Sequence, residues 1–166
     1  MFARLAPYVL LLLLSGAQAA RAQQPAPDKS VEIAGTSVDP AQSMQFFDQL
    51  IAAPVQQARR TLTQAQKRYQ AGLPPGEFFY LTTRIMDSDG RFEQVFVRVQ
   101  QWEGHYVRGS IANAPQTVRG YAAGQEIEFT TSAVLDWTLV RANGAEEGNY
   151  VGKFLDLQSR LDALDR

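Results

Sequence analysis

The chain has no cysteine, a single histidine and almost balanced charge, with 16 Lys+Arg against 17 Asp+Glu for a net −1. Without cysteine there are no disulfides, thiolate nucleophiles or Cys-ligated metals. His105 alone cannot supply the several N and S ligands of a zinc site, so no metal and no cofactor are expected. The balanced charge removes the simplest basis for binding nucleic acid, and no nucleic-acid partner is expected. Phosphate-cradling glycine loops, dinucleotide fingerprints and a Gly-x-Ser-x-Gly nucleophile turn are all missing. What is present is an ordinary globular composition: 166 residues, 45% apolar and 10% aromatic, with 12 Gly and 8 Pro. That suits one domain with an extension.

The extension is at the start. Residues 1–4 carry one charge, Arg4; residues 5–14 are apolar; Ser15, Gly16, Ala17, Ala19, Ala20 and Ala22 are small. This is the order of a secretory signal peptide, and its apolar stretch is too short to span a bilayer as a helix. Cleavage fits after Ala19 or Ala22, with Ala22 preferred because a polar, proline-containing stretch begins at Gln23. Removing residues 1–22 takes away Arg4 and Arg21 and no acid, leaving 144 residues with 14 Lys+Arg and 17 Asp+Glu, a net −3. An exported protein, periplasmic or secreted, without stable membrane insertion, is expected. Residues 23–38 read as a flexible leader.

A domain is expected over residues 39–156. Asp39-Pro40 is a helix start, since Asp caps free N–H groups and Pro suits the first helical position. Phe47, Leu50 and Ile51 share a face, and Pro54 predicts a break or kink. Val55, Ala58, Leu62, Ala65 and Tyr69 then recur at spacings of 3 and 4, the stripe of an amphipathic helix that Gly72 and Pro74-Pro75 end.

From Glu77 the period becomes 2. Phe79, Leu81, Thr83 and Ile85 face one way, and Phe78, Tyr80, Thr82 and Arg84 the other. Asp87-Ser88-Asp89-Gly90 is a hairpin turn with Gly90 free to take positive φ. The return strand carries Val95, Val97 and Val99, and a third strand follows the Glu103-Gly104 turn. Later rows are Ile127 with Phe129, and Ala133, Leu135, Trp137 and Leu139. Residues 149–153 are a candidate closing strand. Phe154, Leu157, Leu161 and Leu164 line a short C-terminal helix, its tail at 157–166. The expected class is α+β: an N-terminal amphipathic helix on a curved antiparallel sheet or small, partly open barrel.

Several stretches together resemble one family. They are Ala58-Arg59 with Thr61-Leu62, Glu93-Gln94-Val95-Phe96-Val97, and Gly109 with Asn113-Ala114-Pro115. Gly124-Gln125-Glu126-Ile127, Val134-Leu135-Asp136-Trp137, Gly144, Gly148 and Gly152 complete the set. The chain resembles the YegJ-like family of bacterial proteins, domain of unknown function 2314, over about residues 53–154. The resemblance implies a bacterial origin and a shared fold, and it assigns no catalytic residue. Phe96 stands where the family carries Trp, and Gly124-Gln125 where it carries Gly-Asp.

Candidate chemistry is thin. His105 sits beside a tight turn, where an orienting partner for a general base is not evident. Asp87–Gly90 begins like a calcium loop, but Arg98 falls where the bidentate Glu belongs. Glu93, Glu126, Glu128 and Asp136 are strand acids that could form a glycan-cutting pair only if the fold brought two of them together. Asn113, Pro115, Gly124 and Trp137 read as fold anchors. Asp136 is expected to point away from Trp137, as an anchor or as part of a polar site. The most unusual row alternates aromatics and arginines: Tyr80 and Arg84, Phe96 and Arg98, Tyr106 and Arg108. If open, this face is a binding platform; we expect the helix over residues 55–69 to cover it instead, leaving arginine stems packed in a second layer.

The leading functional expectation is a non-catalytic envelope module that binds an envelope protein or a small polar ligand. Tyr80, Arg84, Phe96, Arg98 and Asp136 are its candidate ligand residues, and the catalytic residues are unknown. The alternative is a small envelope hydrolase using strand carboxylates.

Overall fold

A computed structural model describes residues 39–164. The expected signal peptide and leader, residues 1–38, lie outside the described residues. Three helices and six strands run in the order α1 (Pro40–Leu50), α2 (Ala52–Gln70), β1 (Phe78–Met86), β2 (Phe92–Glu103), β3 (Tyr106–Ile111), β4 (Glu126–Thr130), β5 (Asp136–Val140), β6 (Glu146–Gly148) and α3 (Tyr150–Leu164). The strands form one antiparallel sheet in the order β4-β3-β2-β1-β5-β6, an open sheet rather than a closed barrel. No helix among the described residues is long and apolar enough to cross a membrane.

The helix signals act locally. Asp39 accepts a hydrogen bond from the Ala41 N–H, with Pro40 opening α1. The break falls at Ile51 and not at Pro54. Proline's ring clashes with the carbonyl four residues earlier, which is that of Leu50, so α1 ends there. Pro54 itself lies in the first turn of α2, where a missing N–H removes no helical bond.

Hydrophobic area decides which side of the sheet α2 covers. One face carries Phe79, Leu81, Val99, Trp102, Val107, Trp137 and Leu139, and Ala58 and Ala65 of α2 are buried in the same cluster with Leu62 and Tyr69 alongside. A second cluster on this face joins Ile85, Val95, Val97, Ile111 and Val118. Burying apolar surface yields about 25 cal/mol per Å², so the helix settles on the valine-rich side. This corrects the expectation that it covers the row with Tyr80, Phe96 and Arg98. The opposite face is covered only in part, by α1 through Phe47 on Phe92 and by the first turn of α3 on Asp136, and an antiparallel sheet tolerates water on the remainder.

Two local expectations are also corrected. Residues 149–153 do not close the sheet: Asn149 has φ 53, and α3 begins at Tyr150. Ala133 lies in a 3₁₀ turn, Thr131–Ala133, with its side chain exposed, while Val134 is buried in its stead. The hairpin turn after β1 has Gly90 at φ 78, as its sequence predicts. In β2 a bulge between Val99 and Gln101 shifts the register. The extra residue lets Val99 and Trp102, three apart, enter one core.

Candidate functional site

The sheet register places the candidate residues on two neighbouring rungs. Glu126 pairs with Ser110, Ser110 with Arg98, Arg98 with Tyr80, and Tyr80 with Thr138. On the next rung Phe96 pairs with Thr82, and Thr82 with Asp136. Residues two apart on a strand share a face, so Tyr80, Phe96, Arg98 and Asp136 all stand on the side away from α2. Arg84 follows one rung further, opposite Gln94.

This face is closed at one side and open at the other. Thr82, Asp136 and Thr138 are buried. The first turn of α3 sits there: Asp136 Oδ2 accepts from the Val151 N–H at 2.6 Å, and Oδ1 from the Trp137 N–H at 2.8 Å. Burial pushes the Asp136 carboxyl up to about 6, against the lowering effect of those backbone donors and of Lys153. With both oxygens engaged and 1% exposure, Asp136 ties strand to helix and faces no solvent.

From Tyr80 outward the face opens. Tyr80 and Phe96 are half-buried, and Arg98, Tyr106 and Arg108 are exposed. The Arg98 guanidinium lies 4.4 Å from the centre of the Phe78 ring. That contact sets a cation over an aromatic ring, and among the described residues no carboxylate lies within ion-pair distance of it. Burial raises the Tyr80 hydroxyl above its ordinary range, with Arg98 pulling the other way. A hydrogen bond to Glu128, more than burial, raises that of Tyr106.

Arg84 leaves this group. Its guanidinium is held by Asp48 of α1 and lies 5.1 Å from the centre of the Phe92 ring. It therefore lines a cleft between the α1–α2 junction and the part of β1 beyond its pairing with β5, together with Asp48 and Arg59. Asp48 gave no signal in the sequence, being 36 positions from its partner Arg84. Arg59 stood out only as part of the family resemblance.

Of the strand acids only Glu126 and Glu128 are neighbours, two apart and exposed on one face of β4. Glu93 is buried on the α2 side, opposite Ile85, and its carboxylate accepts from the N–H groups of Gln116, Thr117 and Val118. Asp136 lies on the other face, and Glu126 and Glu128 are on the outermost strand, β4. His105 is exposed in its turn, with Nδ1 3.0 Å from Thr131 Oγ1. Asp87 Oδ1 is occupied by the Asp89 and Arg91 N–H groups. Among the described residues no group of three or more His, Cys, Asp or Glu side chains could hold a metal ion.

The sequence-predicted anchors lie at junctions. Asn113 Oδ1 accepts from the Phe96 N–H at 2.8 Å, locking the turn after β3 onto β2, and Pro115 is half-buried two residues on. Gly124 turns the chain at φ 82 and donates to the Ile111 carbonyl at 2.7 Å, just ahead of β4. Trp137 stacks on Phe79 with ring centres 6.0 Å apart and planes within 7°.

No curated protein and no solved structure matches the chain. The sequence model of one bacterial family matches residues 48–159, from the end of α1 through most of α3. The span takes in every strand and the whole of α2. The chain therefore belongs to the family DUF2314, described as an uncharacterized protein conserved in bacteria.

Proposed function

We propose that the protein is an exported, non-catalytic binding module of the bacterial envelope. Its binding surface is the open part of the sheet around Tyr80, Phe96, Arg98, Tyr106 and Arg108. The observation that carries this reading is the placement of α2 on the valine-rich face, which leaves aromatic and arginine side chains unroofed. Exposed aromatics and arginines are the side chains that contribute most where proteins meet partners. The charged, apolar and small-residue order of residues 1–22 supports export. The hydrolase reading has less support, since Glu93 and Asp136 stand on opposite faces with their oxygens bound to backbone N–H groups, and Glu126 and Glu128 lie exposed on the outermost strand.

The test uses the purified protein and an Arg98→Ala/Tyr106→Ala variant as baits in envelope extract, with Gln64→Ala on the exposed side of α2 as control. The expected result is a species retained by the wild type and the control and lost by the double variant. Equal retention by all three baits, or no retained species, refutes the surface. N-terminal sequencing of the protein from its native envelope fraction tests export. A start at Gln23, or at Ala20, is expected, and an intact Met1 is the contrary result.

A further inference from the structure

We infer that the cleft at the α1–α2 junction is a second site, one that takes a small monocarboxylate with an apolar body. It lies apart from the open sheet face and does not depend on it. The cleft has a volume of about 430 Å³ and an apolar lining that includes Ile51, Val55 and Leu135. That size is within the range of small-molecule sites, which pair an apolar lining with a few placed polar groups.

Three charged side chains stand around it: Arg59, Arg84 and Asp48. Asp48 is committed to Arg84, whose guanidinium also rests on Phe92 and whose Nε–H has no acceptor. Arg59 has no such partner. Among the described residues no carboxylate lies within ion-pair distance of it, and its one hydrogen bond is a long contact of 3.4 Å to the Ser132 carbonyl. The cleft therefore carries one positive charge in excess.

A single carboxylate balances that charge, whereas a phosphate monoester would overshoot it. The planar guanidinium fork of Arg59 fits a carboxylate with two parallel hydrogen bonds. The body of the ligand would displace water from Ile51, Val55 and Leu135, so binding needs both the acid and the apolar part.

The test is calorimetric titration of the purified protein with 4-phenylbutyrate, with 4-phenylbutanol and 4-phenylbutylamine as probes of the same body and different charge. The expected result is saturable binding of the carboxylate and at least tenfold weaker binding of the alcohol and the amine. Arg59→Gln is expected to weaken carboxylate binding at least tenfold without moving the unfolding midpoint, because Arg59 is exposed. Arg59→Lys, which keeps the charge and loses the fork, is expected to fall between. No carboxylate binding at millimolar concentration overturns the proposal, as does equal affinity for the three probes or unchanged affinity in Arg59→Gln.

Discussion

Trp137 donates its indole N–H to Thr61 Oγ1 at 2.9 Å, joining β5 to α2 across 76 positions of sequence. The same hydroxyl donates to the Ala58 carbonyl at 3.0 Å. One threonine thus satisfies a buried indole and fixes the helix over the stacked Phe79 and Trp137 rings. Thr61→Val keeps the shape and removes the acceptor. The expected loss is about 1–3 kcal/mol, the cost of an unpaired buried donor. Urea unfolding followed by tryptophan fluorescence measures it.

Asp136 predicts a falling stability with rising pH. Its folded-state value of about 6 lies above the ordinary value of 3.8. Below 3.8 both states are protonated and the fold bears no penalty. Between there and about 6 the unfolded chain releases the proton while the fold retains it, so stability declines; above about 6 the decline stops. A displacement of about two pH units corresponds to a loss of about 3 kcal/mol. Urea midpoints from pH 4 to 7 should show this slope in the wild type. Asp136→Asn should have lower stability at pH 4, because its amide cannot accept from both backbone donors, and should lose the contribution of this group to the slope.

Gly148 is required where it stands. It has φ 73, and a Cβ there would meet the Trp137 carbonyl oxygen and lie 2.8 Å from Trp137 Cε3. Gly148→Ala combines backbone strain with a clash against a core residue and should cost at least about 2 kcal/mol. Gly144 has φ 82 with nothing within 4 Å of an added Cβ. Gly144→Ala should therefore cost only the strain, about 1 kcal/mol. Thermal unfolding of the two variants separates the contributions.

Glu93 is the internal anchor of the segment after β3. Its Oε2 accepts from Gln116 and Thr117, each at 2.8 Å. Glu93→Gln sets an amide nitrogen among backbone donors and should cost about 3 kcal/mol. Hydrogen exchange should speed up at Gln116, Thr117 and Val118 well before it does in β1 or β2.

Much of this architecture is legible in the residues because local chemistry specifies it. The period of two from Phe78 onward, the Asp87–Gly90 turn and the stripe Ala58, Leu62, Ala65 and Tyr69 all follow from backbone geometry alone. Which face of the sheet that stripe meets is a tertiary choice. It depends on adding Trp102, Trp137 and Leu139 to the valine side, and Trp102 joins only through a bulge that alternation does not announce. The bend at Asn149 is likewise hidden, because a non-glycine residue with positive φ carries no dependable pattern. For the site, alternation groups Tyr80, Phe96 and Arg98 correctly. It cannot foresee that Arg84 turns to Asp48, or that α3 roofs Asp136, because both contacts join segments far apart in the chain.

The central position of β1 has a kinetic consequence. Its neighbour β2 follows after a five-residue turn, whereas β5 reaches its other edge only after the whole of β2, β3 and β4 has been made. Closing that long loop is entropically slow, while the meander from β1 to β4 assembles from adjacent hairpins. Assembly should therefore finish at the carboxyl end, with β5, β6 and α3 docking last. Pulse-labelled amide exchange during refolding should protect Val97 and Val107 ahead of Leu139 and Val151.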